Sequence, residues 1–116
     1  MAETYTVALF QGATYNKGLI YKDSTGTVID ITGYSARMPF RYKSKTGVCA
    51  LNLLEGSGLT ITPLSGRVDI EITSAQTALL TRDMFYTLEL FTPNDDNVIR
   101  LLAGPATLDL EVKDCV

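Results

Sequence analysis

Histidine and tryptophan are both missing from this chain of 116 residues. Without histidine there is no side chain whose ordinary pKa makes it a general base near neutral pH, and the commonest transition-metal ligand is gone. No nucleophile elbow, phosphate loop, Cys-x-x-Cys pair or Gly-x-Gly-x-x-Gly element stands in its place. Neither an enzyme nor a bound cofactor or metal is therefore expected. Without tryptophan the preferred sugar-stacking side chain is absent, although six tyrosines leave saccharide binding open. Cysteine is scarce too: Cys49 and Cys115 allow one bridge or two free thiols. We read them as free thiols of a leaderless chain made in a reducing compartment, Cys49 as a small buried hydrophobe and Cys115 as a terminal bystander.

Apolar runs last only a few residues, far short of the roughly 20 that cross a bilayer. Nor does the N-terminus pair a basic region with an apolar stretch, so neither a signal peptide nor membrane insertion is expected. Lysine and arginine are few: the net charge is −3 and the isoelectric point about 4.8. Displacing counterions from a phosphate backbone needs clustered cations, so no nucleic-acid partner is expected on charge alone. Hydrophobic residues at 46% and charged residues at 20% lie outside the composition of disordered chains and suit one folded domain over 1–116.

What the chain has in abundance is alternation. Arg67 to Ile72 and Thr107 to Val112 switch between polar and apolar at every step. Successive strand side chains point to opposite faces, so such runs bury one face and wet the other. The same period covers Thr4 to Gln11, Lys17 to Lys22, Tyr34 to Lys43, Val48 to Leu53 (with Cys49, Leu51 and Leu53 inward), Met84 to Phe91 and Val98 to Ala103. Shorter extended pieces run from Val28 to Ile31 and from Leu59 to Thr62. Pro39 cannot donate to a ladder, which predicts an edge position or a bulge there. One segment breaks the period: Thr73, followed three residues later by Gln76, has capping-box spacing and predicts a short helix near 73–81.

Short strands separated by turn residues predict an all-β fold, a sandwich or a barrel, and we favour an immunoglobulin-like antiparallel sandwich of about seven to nine strands. A helical turn feeding Asp83-Met84-Phe85-Tyr86 is similar to the corner where a tyrosine hydroxyl bonds upstream backbone, so Tyr86 is the candidate structural tyrosine.

The surface candidates follow from the same alternation. Phe10, Ile20, Phe85 and Phe91 fall on faces away from the main apolar set, where they either cover loop ends or meet other subunits. Arg37, Arg41, Lys43 and Lys45 form an outward basic stripe, either a grip for an acidic partner or a solvated face that discourages edge pairing. Asp109, Glu111 and Asp114 are placed at the opposite end, where a head-to-tail oligomer could set them against the arginines. Asn94-Asp95-Asp96-Asn97 reads as a hairpin loop rather than a calcium loop.

Several of these segments, in order and spacing, carry a resemblance to a known family. Tyr15-Asn16-Lys17-Gly18-Leu19-Ile20-Tyr21, the Asp30-Ile31-Thr32-Gly33-Tyr34-Ser35-Ala36-Arg37-Met38 element, Gly58 to Ile61, Ile72 to Leu80, Tyr86 to Leu90 and Val98 to Gly104 together resemble small tail proteins of long-tailed bacteriophages. The chain looks like the immunoglobulin-like N-terminal domain of siphophage baseplate upper proteins and like the small collar proteins that ring the tail tip. The resemblance implies a non-enzymatic virion structural protein, made in the host cytoplasm and carried in the phage tail. Its expected partners are other copies of itself in a ring and the tail tube, baseplate or tail-fibre proteins that it anchors. Baseplate upper proteins hold receptor-binding proteins through a long extension, and this sequence stops at Val116, which favours the stand-alone collar role. Two rival roles stay open: an immunoglobulin-like module that binds host-surface saccharide, and a tail assembly factor absent from the mature virion.

Overall fold

The computed structural model describes residues 3–44 and 47–110. Among the described residues nine strands are formed: β1 (Glu3–Thr4), β2 (Val7–Phe10), β3 (Tyr15–Ile20), β4 (Ser35–Tyr42), β5 (Cys49–Glu55), β6 (Gly58–Thr62), β7 (Arg67–Ile72), β8 (Met84–Phe91) and β9 (Val98–Asp109). A single α-helical turn, α1 (Ser74–Ala78), lies between β7 and β8. The all-β expectation holds.

All the strands belong to one hydrogen-bonded sheet in the order β1-β9-β8-β4-β5-β6-β7-β3, with β2 also on β9. The sheet curls until its last strand, β3, comes near β9, giving an almost barrel-shaped circuit; Leu19 of β3 and Leu102 of β9 line the same open seam. The two separate sheets of a sandwich are not delineated by this continuous pairing. Nor is the pairing wholly antiparallel, because β1 and β2 run parallel to β9 and a short parallel step joins β5 to β6.

Alternation sets the core. β8 buries Met84, Tyr86, Leu88 and Leu90 while Phe85, Thr87, Glu89 and Phe91 face outward. β4 contributes Ala36, Met38 and Phe40, and β7 contributes Val68, Ile70 and Ile72. Removing each such side chain from water stabilises the fold by roughly 1.5–3 kcal/mol, which is why a clean period of two is enough to choose the inward face. The capping box forms as spaced. Thr73 Oγ1 accepts from the Gln76 backbone N–H at 3.2 Å, and the Thr73 N–H donates to Gln76 Oε1 at 2.9 Å. Thr77, buried on α1, donates to the Ala13 carbonyl at 2.9 Å and so ties the helix to the turn before β3.

Four local expectations are corrected, each for a backbone reason. Pro39 is not at an edge, since β4 pairs with β5 on one side and β8 on the other. The bulge comes one step later, between Phe40 and Arg41. That bulge inserts Ala50 into β5 and reverses its parity, so Cys49 is exposed beside Arg41 rather than buried. Val98 to Asp109 is one continuous strand, not two with a break at Gly104-Pro105. Its parallel neighbours part at that point: β1 pairs up to Ala103 and β2 resumes at Ala106, so the donor that Pro105 lacks faces the gap between them. Finally, Val28 to Ile31 makes only an isolated bridge, Val28 with Lys22. Ile31 is nonetheless fully buried as a plug, held by its N–H on the Pro63 carbonyl at 3.1 Å. Lys45, Glu111, Asp114 and Cys115 lie outside the described residues.

Candidate functional site: an outward sheet face and a tyrosine seam

Four of the sequence-predicted interface residues meet on one surface. Because β4 and β8 are antiparallel neighbours with Ser35 opposite Phe91, Arg37 opposite Glu89 and Arg41 opposite Phe85, their outward side chains form adjacent rows. Arg37 Nε donates to Glu89 Oε1 at 2.9 Å, and Arg100 from β9 approaches Glu89 Oε2 at 3.5 Å. The Arg37 guanidinium also lies over the Phe91 ring, 4.5 Å from its centroid, where the ring's negative face attracts a cation. Further along, Arg41 donates to the Gly47 carbonyl at 2.8 Å. Pro39, Arg41, Phe85 and Thr87 line a shallow, mostly apolar depression of about 50 Å³. Two arginines therefore flank one glutamate, and a third stands further along a face that also presents two phenylalanines and a proline. A face of this kind combines apolar contact with a cationic field, the combination found in polar-rimmed protein interfaces.

The other predicted residues go elsewhere. Phe10, 58% exposed, pairs with Asp109 at the end of the barrel that carries α1. β4 finishes at that same end, where the Tyr42 hydroxyl accepts from the Thr81 N–H at 3.3 Å. Asp109 thus shares an end with Arg41 and does not form the expected opposite acidic pole; strand polarity, which the sequence period does not encode, decides this. Ile20, 43% exposed, lies on β3 beside Arg67, on the far side of the circuit from β4. Asn94 takes a left-handed conformation, φ 62°, as a hairpin loop requires. Among the described residues no group of three or more acidic or cysteine side chains could hold a metal ion, and no helix is long and apolar enough to cross a membrane.

Tyr86 does donate its hydroxyl to backbone, but the acceptor is the Tyr5 carbonyl at 2.7 Å, in the break between β1 and β2. It anchors the N-terminal segment rather than a local corner. Tyr86, Tyr15 and Tyr5 cluster there, beside the seam between β3 and β9, and the Lys17 ammonium sits 4.4 Å above the Tyr5 ring. Burial, reinforced by the neighbouring phenols, pushes the pKa of Tyr15 and of Tyr86 up to about 12. The seam itself is a groove of about 470 Å³ lined by Tyr5, Lys17, Tyr21, Asp23 and Arg100 among others. Alternation along single strands could not find it, because it joins residues from opposite ends of the sheet order.

These phenols make a pH prediction. Between pH 10 and 12 an unfolded chain has lost the two protons that the folded chain still holds, so stability falls as pH rises through that interval and is intact below it. Alkaline titration at 295 nm, followed beside far-ultraviolet circular dichroism, is expected to show the two slow phenols ionising together with loss of strand signal. Ionisation of Tyr15 and Tyr86 near pH 10 with the fold intact would contradict their placement.

No protein-family model matches the chain, and no curated protein matches it.

Proposed function

We propose that this chain is a non-enzymatic structural protein of a phage tail, a collar or baseplate component that assembles into a ring with copies of itself and anchors neighbouring tail or fibre proteins. The observation that carries the reading is the outward face of β4 and β8. Phe85, Phe91 and Pro39 lie there among Arg37, Arg41 and Arg100, apolar contact area with fixed cations on a rigid sheet. The segments that resemble phage tail proteins supply the rest: they map to β3, the start of β4, β6, α1 with its capping box, β8 and the first half of β9. In this reading the curled sheet is an immunoglobulin-like sandwich, with β9-β8-β4-β5 as one layer and β6-β7-β3 as the other. Its mechanism is geometric, many modest contacts adding up through closure of a ring.

Light scattering and negative-stain microscopy of the purified protein test the assembly, and mass spectrometry of purified virions tests the location. Closed rings and a stoichiometric virion component are expected. A monomer at tens of micromolar would remove the ring, and absence from virions would turn the reading into that of an assembly factor. The tyrosine-lined seam, with Lys17, Lys22, Asp23 and Arg100 around it, supports the second reading, a saccharide-binding module. A glycan array distinguishes it.

A further inference from the structure

The sheet order places two faces of opposite charge on opposite sides of the molecule. In the eight-position circuit, β8 and β7 are four positions apart, as are β4 and β3, so their outward faces look in opposing directions. The β4–β8 face, with the neighbouring β9, carries Arg37, Arg41 and Arg100 against Glu89, with Asp109 beyond it at the Arg41 end. The β3–β7 face carries Asp69 and Glu71 against a single Arg67, and that arginine is paired to Asp69 at 2.9 Å. Lys17, although close by, turns its ammonium to the seam and the Tyr5 ring. The shapes differ as well as the charges. Gly18, opposite Asp69, contributes no side chain of its own, and the concavity of about 370 Å³ around it is lined by Asn16, Lys17, Thr60, Arg67, Asp69 and Glu71. There is no room for a side chain at Gly18, because the Arg67–Asp69 pair lies across it. Ile20 provides exposed apolar surface at the rim.

We infer that copies of this chain associate face to back: the arginine face of β4 and β8 seats on the β7–β3 face of the next copy, with Arg41 against Glu71 and Phe85 beside that contact. The inference rests on the reading of the chain as self-assembling and names the surfaces through which it does so. The two patches differ, so the contact is heterologous; a tilt between copies closes it into a ring, and without tilt it propagates as a filament. Opposite charge on the two faces also selects against face-to-face and back-to-back pairing, since like charges brought together are repulsive.

The test is a charge swap on the full chain, with association measured by analytical ultracentrifugation in low salt and folding checked by circular dichroism. Arg41→Glu and Glu71→Lys are each expected to weaken self-association about tenfold or more. Mixed one to one, the two variants are expected to reassemble, because each then offers the other one native and one swapped contact. The double variant is expected to assemble as the unmodified chain does. If either reversal fails to fold, Arg41→Gln and Glu71→Gln take its place and each is expected to weaken association. Unmodified protein that assembles while neither single variant is weakened overturns this contact and leaves the ring reading standing. Weakened single variants whose mixture stays dissociated also overturn it, since the two faces then do not meet. Unmodified protein that remains monomeric brings down the ring reading itself, and this inference with it.

Discussion

Gly104→Val is expected to lower stability by about 3 kcal/mol or more, a large share of the 5–15 kcal/mol that holds a domain of this size folded. Gly104 has φ +149°, a conformation that side-chain-bearing residues rarely adopt. Strain of that kind costs of order 1–3 kcal/mol. A Cβ there would also stand 2.8 Å from the Tyr5 carbonyl oxygen, the atom that accepts the Tyr86 hydroxyl. If the N-terminal segment moves aside, a half-buried phenol loses its partner, at a further cost of about 1–3 kcal/mol. Gly26→Ala is the matched control: its φ is +87°, but nothing lies within 4 Å of a new Cβ, so only strain is introduced. Urea denaturation of both variants separates clash from strain. Equal midpoints would show that the close approach of Tyr5 to β9 does not exist. The Tyr86 phenol in Gly104→Val should also titrate closer to its ordinary value of 10, since its burial against the Tyr5 segment is disturbed.

Phe40→Ala is expected to cost about 3–5 kcal/mol by leaving a cavity in the middle of the core. Phe40 is 0% exposed, and its ring stacks on that of Tyr86 with centroids 5.6 Å apart. It therefore supports both the β4–β8 pair and the tyrosine that anchors the N-terminal segment. Phe85→Ala, on the outward face of the same sheet, should by contrast cost clearly less, because that ring keeps part of its surface in water while Phe40 keeps none. Thermal unfolding of the two variants gives the comparison. A loss at Phe85 as large as that at Phe40 would mean that the outward face is packed within one copy, and it would withdraw the main support for an interface there.

Where side-chain chemistry acts over a few residues, it could be read directly. The bounds of β7 and β8 follow from alternation that nothing interrupts, and α1 follows from the Thr73–Gln76 spacing. Cys49 shows where that logic stops. Its inward assignment assumed an unbroken period, and one inserted residue at Ala50 moved it to the outside. Leu101 and Leu102 show the same effect in β9, both buried beside the shift between Leu88 and Glu89. Glycine and proline at Gly104-Pro105 looked like a strand end, but whether a missing donor matters depends on which neighbour lies opposite it.

The candidate surface divides in the same way. That Arg37, Arg41, Phe85 and Phe91 point outward was already present in the order of their side chains, because a strand's period is a property of the chain itself. That they stand on one face, that Asp109 shares the end of the barrel where Arg41 and Phe85 lie, and that Asp69 and Glu71 look the other way depend on strand order and direction. Those are fixed by pairings between residues as far apart in sequence as Arg37 and Glu89, or Tyr5 and Tyr86. Local alternation determined which side of each strand is wet; only the closing of the sheet decided which wet sides became neighbours, because every strand had to bury its other side in one shared core.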